Sequence, residues 1–331
     1  MDSTKWELSE PDDEEMKFEV YTNYISGLSY LLNSSYKSIV DQLTNIDLKH
    51  TILQNNQANK SEVQKFLNNS WNSERILNSP KELNLDSSFV KFANHWSPVL
   101  AYYSIFLCFQ SLFLSLGWEK IIEHRSFLDK VSSLINKKRL PFIYPWTHLC
   151  WGCSYYKKEK FNFDVNLSEV NKFSPLTNPV FSNESVFIAK ILRTTRRKQE
   201  EYRELIWKRG GKVKNVDGSR KKIYRLKEKQ MISDNIQKTS LFDFLYRLRI
   251  RSNYEDADIF FMGTRNQATV INYFRSLTNI TNYSLFFIES LIASAIGVNN
   301  FIDIANTFIK SSGNYNYGIA RRIEKHIDSN V

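Results

Sequence analysis

Apolar residues recur at three- and four-residue spacings along most of the chain, a pattern that predicts helices rather than strands. The spacing of Phe18, Tyr21, Ile25 and Leu28 is typical of the N-terminal part. No run of alternating apolar and polar residues bounded by turns occurs, so the fold class that we predict is all-α. The predicted helices cover residues 13–53, 63–71, 99–117, 118–135, 186–208, 240–258, 267–277, 283–296, 301–309 and 319–326.

Two parts of the chain depart from this pattern. Residues 139–184 hold four of the seven prolines among scattered aromatic residues, which predicts an irregular insertion. Gly210 and Gly211 are expected to end the helix over 186–208. Residues 212–226, centred on Asp217-Gly218, then predict a short exposed β-hairpin. Further on, Ser240 and Asp243 have the spacing of a helix-capping pair.

The segment Val99–Gly117 is almost entirely apolar and has two explanations. It is near the lower length limit for a membrane span, and it also fits the central helix of a helical bundle. Tyr102, Tyr103 and Gln110 interrupt the apolar run, and no Lys/Arg cluster precedes it. Pro98 is expected in the first turn of this helix. We therefore expect a core helix and no membrane association.

The N-terminus and the cysteines bear on the compartment. The first twenty residues carry a net charge of −6, from eight acidic and two basic side chains, and resemble neither a secretory signal nor a transit peptide. Three cysteines are too few for a disulfide scaffold and suit a reducing environment. We expect a cytoplasmic protein.

Basic residues are concentrated in one segment of the chain. The whole sequence has 45 Lys+Arg and 35 Asp+Glu, a net charge of +10. Residues 190–229, which we call the basic arm, hold sixteen basic and five acidic residues, a net charge of +11. Cations of this density release counterions from a phosphate backbone, and aromatic rings among them can stack on unpaired bases.

The basic arm is therefore the candidate surface for RNA or another nucleic acid. An alternative is a solvated basic surface that docks an acidic protein partner. The residues that we expect to contact nucleic acid are Arg196, Arg197, Trp207, Lys208, Arg209, Lys212, Lys214, Arg220, Lys221, Lys222, Tyr224 and Arg225.

A second candidate site lies on the helix predicted over residues 240–258. Arg247, Arg251, Tyr254 and Asp258 follow spacings of four, three and four and are expected to share one face. Arginine offers a fixed fork of donors that suits a phosphate group. The alternative is a ladder of ion pairs that only stiffens the helix.

Three segments together resemble the HEPN superfamily. They are AYYSIFLCFQSLFLSLG (101–117), His124 at the start of the next helix, and RLRIRSNYEDADIF (247–260). Members of that family are all-α bundles, and many are metal-independent ribonucleases, toxins or phage-defence proteins whose site forms where two motifs meet in a dimer. The resemblance covers roughly residues 85–140 and 238–310. It implies an RNA-directed protein, a homodimer, and a protein partner in a toxin–antitoxin or antiviral defence complex.

The sequence departs from the nuclease branch of that family at one position. That branch has a His a few residues after the Arg and polar pair, whereas Asp256 and Asp258 occupy those places here. The resemblance carries over Arg251, Asn253, Tyr254 and Asp258 as candidate catalytic residues. In the family's chemistry Arg251 would stabilise the developing phosphorane charge. The alternative is a catalytically silent binding or assembly subunit.

Two further motifs are weaker. Arg321 and His326 form a literal Arg-x4-His on the last predicted helix and are secondary catalytic candidates. His148, Cys150 and Cys153 form an HxCxxC, but no second Cys or His pair completes a four-ligand zinc site. We therefore expect no metal and no cofactor.

These expectations give one overall prediction. Residues 1–84 form an N-terminal helical region with an acidic tail. Residues 85–331 form a HEPN-like helical domain that is interrupted by an insertion over 140–237. The predicted function is RNA binding, with metal-independent endoribonuclease activity as the candidate chemistry.

Overall fold

Helices dominate the computed structural model, which describes residues 14–34, 59–84, 86–176, 183–262, 266–313 and 317–328. Within these ranges lie the α-helices α1 (Glu14–Ser34), α2 (Lys60–Glu82), α3 (Ser87–Ser115), α4 (His124–Asn136), α5 (Leu167–Lys172), α6 (Glu184–Arg209), α7 (Leu226–Asp234), α8 (Leu241–Ile250), α9 (Ala257–Met262), α10 (Gln267–Ile296), α11 (Val298–Ser311) and α12 (Ile319–Asp328). A π-helical turn, Arg251–Glu255, separates α8 from α9. The prediction of a mainly helical protein is confirmed.

A small antiparallel sheet is the exception to the predicted class. It consists of β1 (Leu149–Trp151), β2 (Lys160–Phe161) and β3 (Thr239–Ser240) in the order β2-β1-β3. Cys150 pairs with Phe161 on one side and with Thr239 on the other. Strands of two or three residues are too short for an alternating pattern, so the sequence carried no signal for them.

The described residues divide into two compact units. The first unit comprises residues within 1–122, 174–179 and 248–331, and the second comprises 123–173 and 180–247. The predicted helix over 13–53 is observed as α1, and its remainder from residue 35 lies outside the described residues.

The first unit is built around α3. This helix packs against α2 and α10, and α1 packs against α10. Among the described residues, α3 is the one helix long and apolar enough to cross a bilayer, and 78% of its most apolar stretch is buried within the structure. Phe109, Leu112 and Phe113 are fully buried. This burial favours a core helix over a membrane span.

Two predicted boundaries in this unit are wrong. Pro98 lies inside α3 rather than in its first turn, because Asp86 caps the helix upstream by accepting a hydrogen bond from the Phe89 amide at 2.9 Å. The two helices predicted over 267–277 and 283–296 are one continuous helix, α10. The polar residues between them do not end it, and the hydroxyls of Thr278 and Thr281 donate to carbonyls four residues earlier within the helix.

The second unit contains most of the predicted insertion. The helix expected over 186–208 is confirmed as α6, and Gly210 and Gly211 end it as predicted. Gly211 has a φ of 60°, the left-handed region that favours glycine. The capping pair is also confirmed, since the Ser240 amide donates to the Asp243 carboxylate at 2.7 Å.

Candidate functional site

The most exposed cations of the basic arm lie between the end of α6 and the start of α7. Every residue of this segment, 209–227, is described, and seven of its basic side chains are exposed. These are Arg209, Lys212, Lys214, Arg220, Lys222, Arg225 and Lys227. They contribute to a strong charge difference in sequence between the two units: the second has 27 basic and 13 acidic residues (+14), and the first has 18 and 22 (−4).

A hairpin-like loop presents these cations, in agreement with the predicted exposed β-hairpin. Lys214 and Arg220 form one antiparallel bridge, and the Lys221 amide donates to the Val213 carbonyl at 3.1 Å. Across the tip, the Asn215 amide donates to the Ser219 carbonyl at 2.8 Å. We call residues 212–224 the basic hairpin.

Arg196 is not available to nucleic acid, so its prediction as a binding residue is wrong. Its side chain is 1% exposed. Its Nε donates to Glu200 at 2.8 Å, and its Nη2 donates to the carbonyl of Ser233 at 2.6 Å, near the end of α7. Arg196 therefore fastens α7 to α6, where its charge is neutralised by Glu200.

The two aromatic residues predicted to stack on bases are buried as well. Trp207 and Tyr224 are each 4% exposed and belong to an apolar cluster with Tyr156 and Ile232. A base has no access to a ring in this position, so the stacking role predicted for them is wrong. Trp207 of α6 and Tyr224 of the basic hairpin pack in one cluster with Ile232 of α7 and Val213, which fixes the base of the hairpin to α6 and α7.

Three other predicted cations are partly buried and paired with carboxylates. Arg197 donates to Glu201 at 2.8 Å, Lys208 pairs with Glu204, and Lys221 donates to Glu228 at 2.6 Å. These pairs reduce the charge available to a ligand.

The Arg251 site lies in the first unit, at the π-helical turn. The Arg251 side chain is 12% exposed; its Nε pairs with Asp256 and also donates to the Tyr21 hydroxyl at 2.9 Å, and its Nη1 lies 3.5 Å from Glu255. The Tyr21 hydroxyl in turn donates to Asp256 at 2.8 Å. Arg251, Asp256 and Tyr21 therefore form a closed hydrogen-bonded set that joins α1 to the turn.

The predicted single face of this helix is wrong. The regular helix ends at Ile250, the π-helical turn follows, and Asp256 breaks the helix with a φ of −130° before α9 begins. Spacings of four, three and four therefore do not place Arg251, Tyr254 and Asp258 on one stripe, because a π-helical turn holds more residues than an α-helical one.

The other carried-over residues lie around the turn at different depths. Asn253 is half-buried, whereas Tyr254 and Asp258 are exposed. The Tyr254 ring lies 5.8 Å from the guanidinium of Arg249, which also donates to the Tyr103 hydroxyl of α3 at 3.1 Å. The contacts of Arg251 to Tyr21 and of Arg249 to Tyr103 join residues more than 140 positions apart. The sequence placed both tyrosines on predicted helices but gave no sign that they pair with these arginines.

The secondary Arg-x4-His candidate is only partly described. Arg321 is exposed and its guanidinium lies 4.5 Å from the ring centre of Tyr317. The side chain of His326 lies outside the described residues.

The neighbouring Arg322 is buried in the core. It is 1% exposed; its Nε and Nη2 donate to Glu289 at 2.8 Å, and both Nη atoms donate to Glu74. Trp71 Nε1 also donates to Glu289 at 2.8 Å. Burial raises the pKa of Glu74 despite the attraction of Arg322. Glu74 and Glu289 share the single positive charge of Arg322. When Glu74 is protonated, the charges of Arg322 and Glu289 cancel and the buried cluster is neutral.

The cysteines of the HxCxxC are buried thiols. Cys153 Sγ lies 2.9 Å from Glu200 Oε2, and burial with this neighbour raises the pKa of Cys153 to about 12. Burial also raises the pKa of Cys150 and lowers that of His148. In the described part of the chain, no group of three or more His, Cys, Asp or Glu side chains is arranged to hold a metal ion.

No protein-family model, curated protein or solved structure matches this chain at a significant level.

Proposed function

We propose that the chain binds RNA through the exposed cations of residues 209–227. The observation that carries the proposal is the cluster of seven exposed basic side chains on and beside the basic hairpin. The one acidic residue of the tip, Asp217, accepts hydrogen bonds from the amide and the hydroxyl of Ser219. It is therefore engaged within the turn.

The expected affinity comes mainly from counterion release. Each phosphate neutralised lowers the slope of log K against log salt by about 0.7 to 0.9. If the seven cations each contact one phosphate, the affinity falls by about three to four orders of magnitude between 50 and 200 mM salt. Arg197, Lys208 and Lys221 add less because they are paired with glutamates.

The test is RNA binding by the full chain and by charge variants. The double variant Lys214→Gln/Arg220→Gln removes two cations from the basic hairpin. The control Lys65→Gln/Lys310→Gln removes two exposed cations from the first unit. Fluorescence anisotropy at constant salt should show a loss of about tenfold or more for the first variant and a change below twofold for the second. Equal losses for the two variants would refute the proposal.

A second candidate function is metal-independent RNA cleavage at the Arg251 site. The observation that favours it is the π-helical turn, a form that occurs frequently at functional sites. The turn and α9 both pack against α3, so two of the segments that carry the HEPN resemblance contact each other within the first unit. We include in this second proposal the role in defence or toxicity that the HEPN resemblance implies.

Cleavage of labelled RNA in the presence of EDTA tests the second candidate. Arg251 would stabilise charge on the phosphorane, with Asn253, Tyr254 and Asp258 positioning the substrate. Activity that survives EDTA and is lost in Arg251→Lys, with an unchanged thermal melt, supports the nuclease. A wild-type protein that binds RNA and never cleaves it supports the silent binding subunit.

A further inference from the structure

We infer that the partner of the basic hairpin is a double-stranded nucleic acid, bound along its sugar–phosphate backbone. The inference rests on the proposed function and narrows its substrate class. It follows from which side chains the hairpin exposes and how its tip is held.

The hairpin offers no ring on which an unpaired base could stack. The large apolar side chains exposed between residues 209 and 227 are Val216, Ile223 and Leu226, all aliphatic. The two aromatic residues, Trp207 and Tyr224, are buried beneath the loop. Proteins that bind single strands combine cations with exposed aromatic platforms, since base stacking supplies about 1–3 kcal/mol per base. The basic hairpin exposes the cations but no aromatic platform.

Among the described residues of the second unit, the exposed aromatic side chains Tyr202 and Tyr155 lie outside the hairpin. Tyr202 is 57% exposed on α6, seven residues before Arg209, which corresponds to about 10 Å of helix. Tyr155 is 52% exposed, but the ammonium of Lys229 lies 3.8 Å from its ring centre and covers one face. Tyr202 is therefore the residue whose removal tests the stacking alternative.

A pair of like charges on the hairpin also indicates a phosphate ligand. Lys214 and Arg220 are direct cross-strand partners in the backbone pairing, and Arg220 Nη1 also donates to the Arg209 carbonyl at 3.3 Å. Like charges directly opposite each other destabilise a hairpin. An anion bound between them relieves the repulsion, and a phosphate group has the charge and acceptor oxygens for this position.

Hydrogen bonds within the tip hold its turn in one conformation, which suits a partner with a regular surface such as a duplex. Asn215 Nδ2 donates to the Ser219 hydroxyl at 2.9 Å, and Asp217 accepts from Ser219 at 2.9 Å and 2.6 Å. Gly218 permits the turn with a φ of 82°. Val216 is fully exposed at this tip. A two-stranded loop with an apolar end can lie against the wide, shallow minor groove of an RNA duplex while its flanking cations contact the two backbones.

The test compares one sequence in three forms with the full chain. The probes are a 20-base-pair RNA duplex, its single strand, and the DNA duplex of the same sequence, all at one salt concentration. We expect the RNA duplex to bind at least tenfold more tightly than the single strand. Lys214→Gln/Arg220→Gln should lower duplex affinity about tenfold, and Val216→Ser about threefold. Tyr202→Ala should leave both affinities within twofold.

The outcomes separate this inference from the function on which it rests. A single strand that binds as tightly as the duplex, or a large loss in Tyr202→Ala, overturns the inference and leaves RNA binding intact. No binding of any probe overturns both. Comparable binding of the DNA duplex supports backbone recognition, because both duplexes present paired phosphate strands. Binding of the DNA duplex alone supports a duplex partner and contradicts the RNA binding proposed above.

Discussion

Arg322 is a single residue whose loss we expect to cost much of the stability of the first unit. It joins α12 to Glu74 of α2 and Glu289 of α10 within the first unit. Arg322→Ala leaves two buried carboxylates without their cation, and removal of one partner from a buried ion pair typically costs about 3–5 kcal/mol. Arg321→Ala, one residue earlier but exposed, should cost less than about 1 kcal/mol. Urea unfolding of both variants measures the difference, and similar losses would show that the buried cluster contributes no special stability.

Glu74 gives the stability a predictable pH dependence. Burial raises its pKa in the folded protein above the ordinary value of 4.5. A carboxyl group that holds its proton more tightly when folded stabilises the protein fully below pH 4.5 and loses that contribution as the pH rises through the folded value. Relative to Glu74→Gln, the wild type should therefore lose unfolding free energy as the pH rises from 4 to 8. A difference between the two proteins that is flat, or that slopes the other way, contradicts this prediction.

Individual residues of the basic arm show what sequence can and cannot reveal. The charge of the arm and its exposed turn were predicted, because charge density and Asp217-Gly218 are local features. The burial of Arg196, Trp207 and Tyr224 was not, because it depends on α7 and on the loop around Tyr156 packing against α6. The Arg196–Glu200 spacing of four was the one local sign that this cation has an internal partner.

At the scale of elements, the packing of the basic hairpin on α6 through Trp207 can be tested separately from nucleic-acid binding. Since Trp207 anchors the hairpin from the inside, Trp207→Phe should keep RNA affinity within about twofold. Trp207→Ala should destabilise the second unit by about 3–5 kcal/mol, because it leaves a large cavity. Thermal melts and anisotropy measured on the same samples distinguish the two roles of the ring. If Trp207→Phe loses affinity about tenfold at unchanged stability, the indole contacts the nucleic acid directly.

The segment around Arg251 shows where helical periodicity stops predicting which residues share a face. Its existence, its capping by Asp243 and its apolar residues were predicted from spacing alone. The π-helical turn changes the angular position of every residue after Ile250, so a shared face inferred from α-helical spacing does not hold beyond it. The partner of Arg251 on α1, Tyr21, lies 230 positions away in the sequence and had no local signal.

At the scale of the whole molecule, the mainly helical class followed from spacing, whereas the division into two units did not. The units are discontinuous in sequence: the second lies between parts of the first, and residues 174–179 belong to the first. Such an arrangement depends on long-range packing, which periodicity does not encode. The net charges of +14 and −4 show that the excess of basic residues lies in the second unit, where the basic arm supplies +11 of the +14.

The central claim is that the basic hairpin contacts phosphates, and the salt dependence of RNA binding tests it most directly. We expect log K for the wild type to fall linearly with log salt. For Lys214→Gln/Arg220→Gln the slope should be shallower by about 1.4 to 1.8, which corresponds to two lost phosphate contacts. The line for Lys65→Gln/Lys310→Gln should run parallel to that of the wild type. A hairpin variant whose line is also parallel, or a wild-type affinity that does not change with salt, would contradict the account.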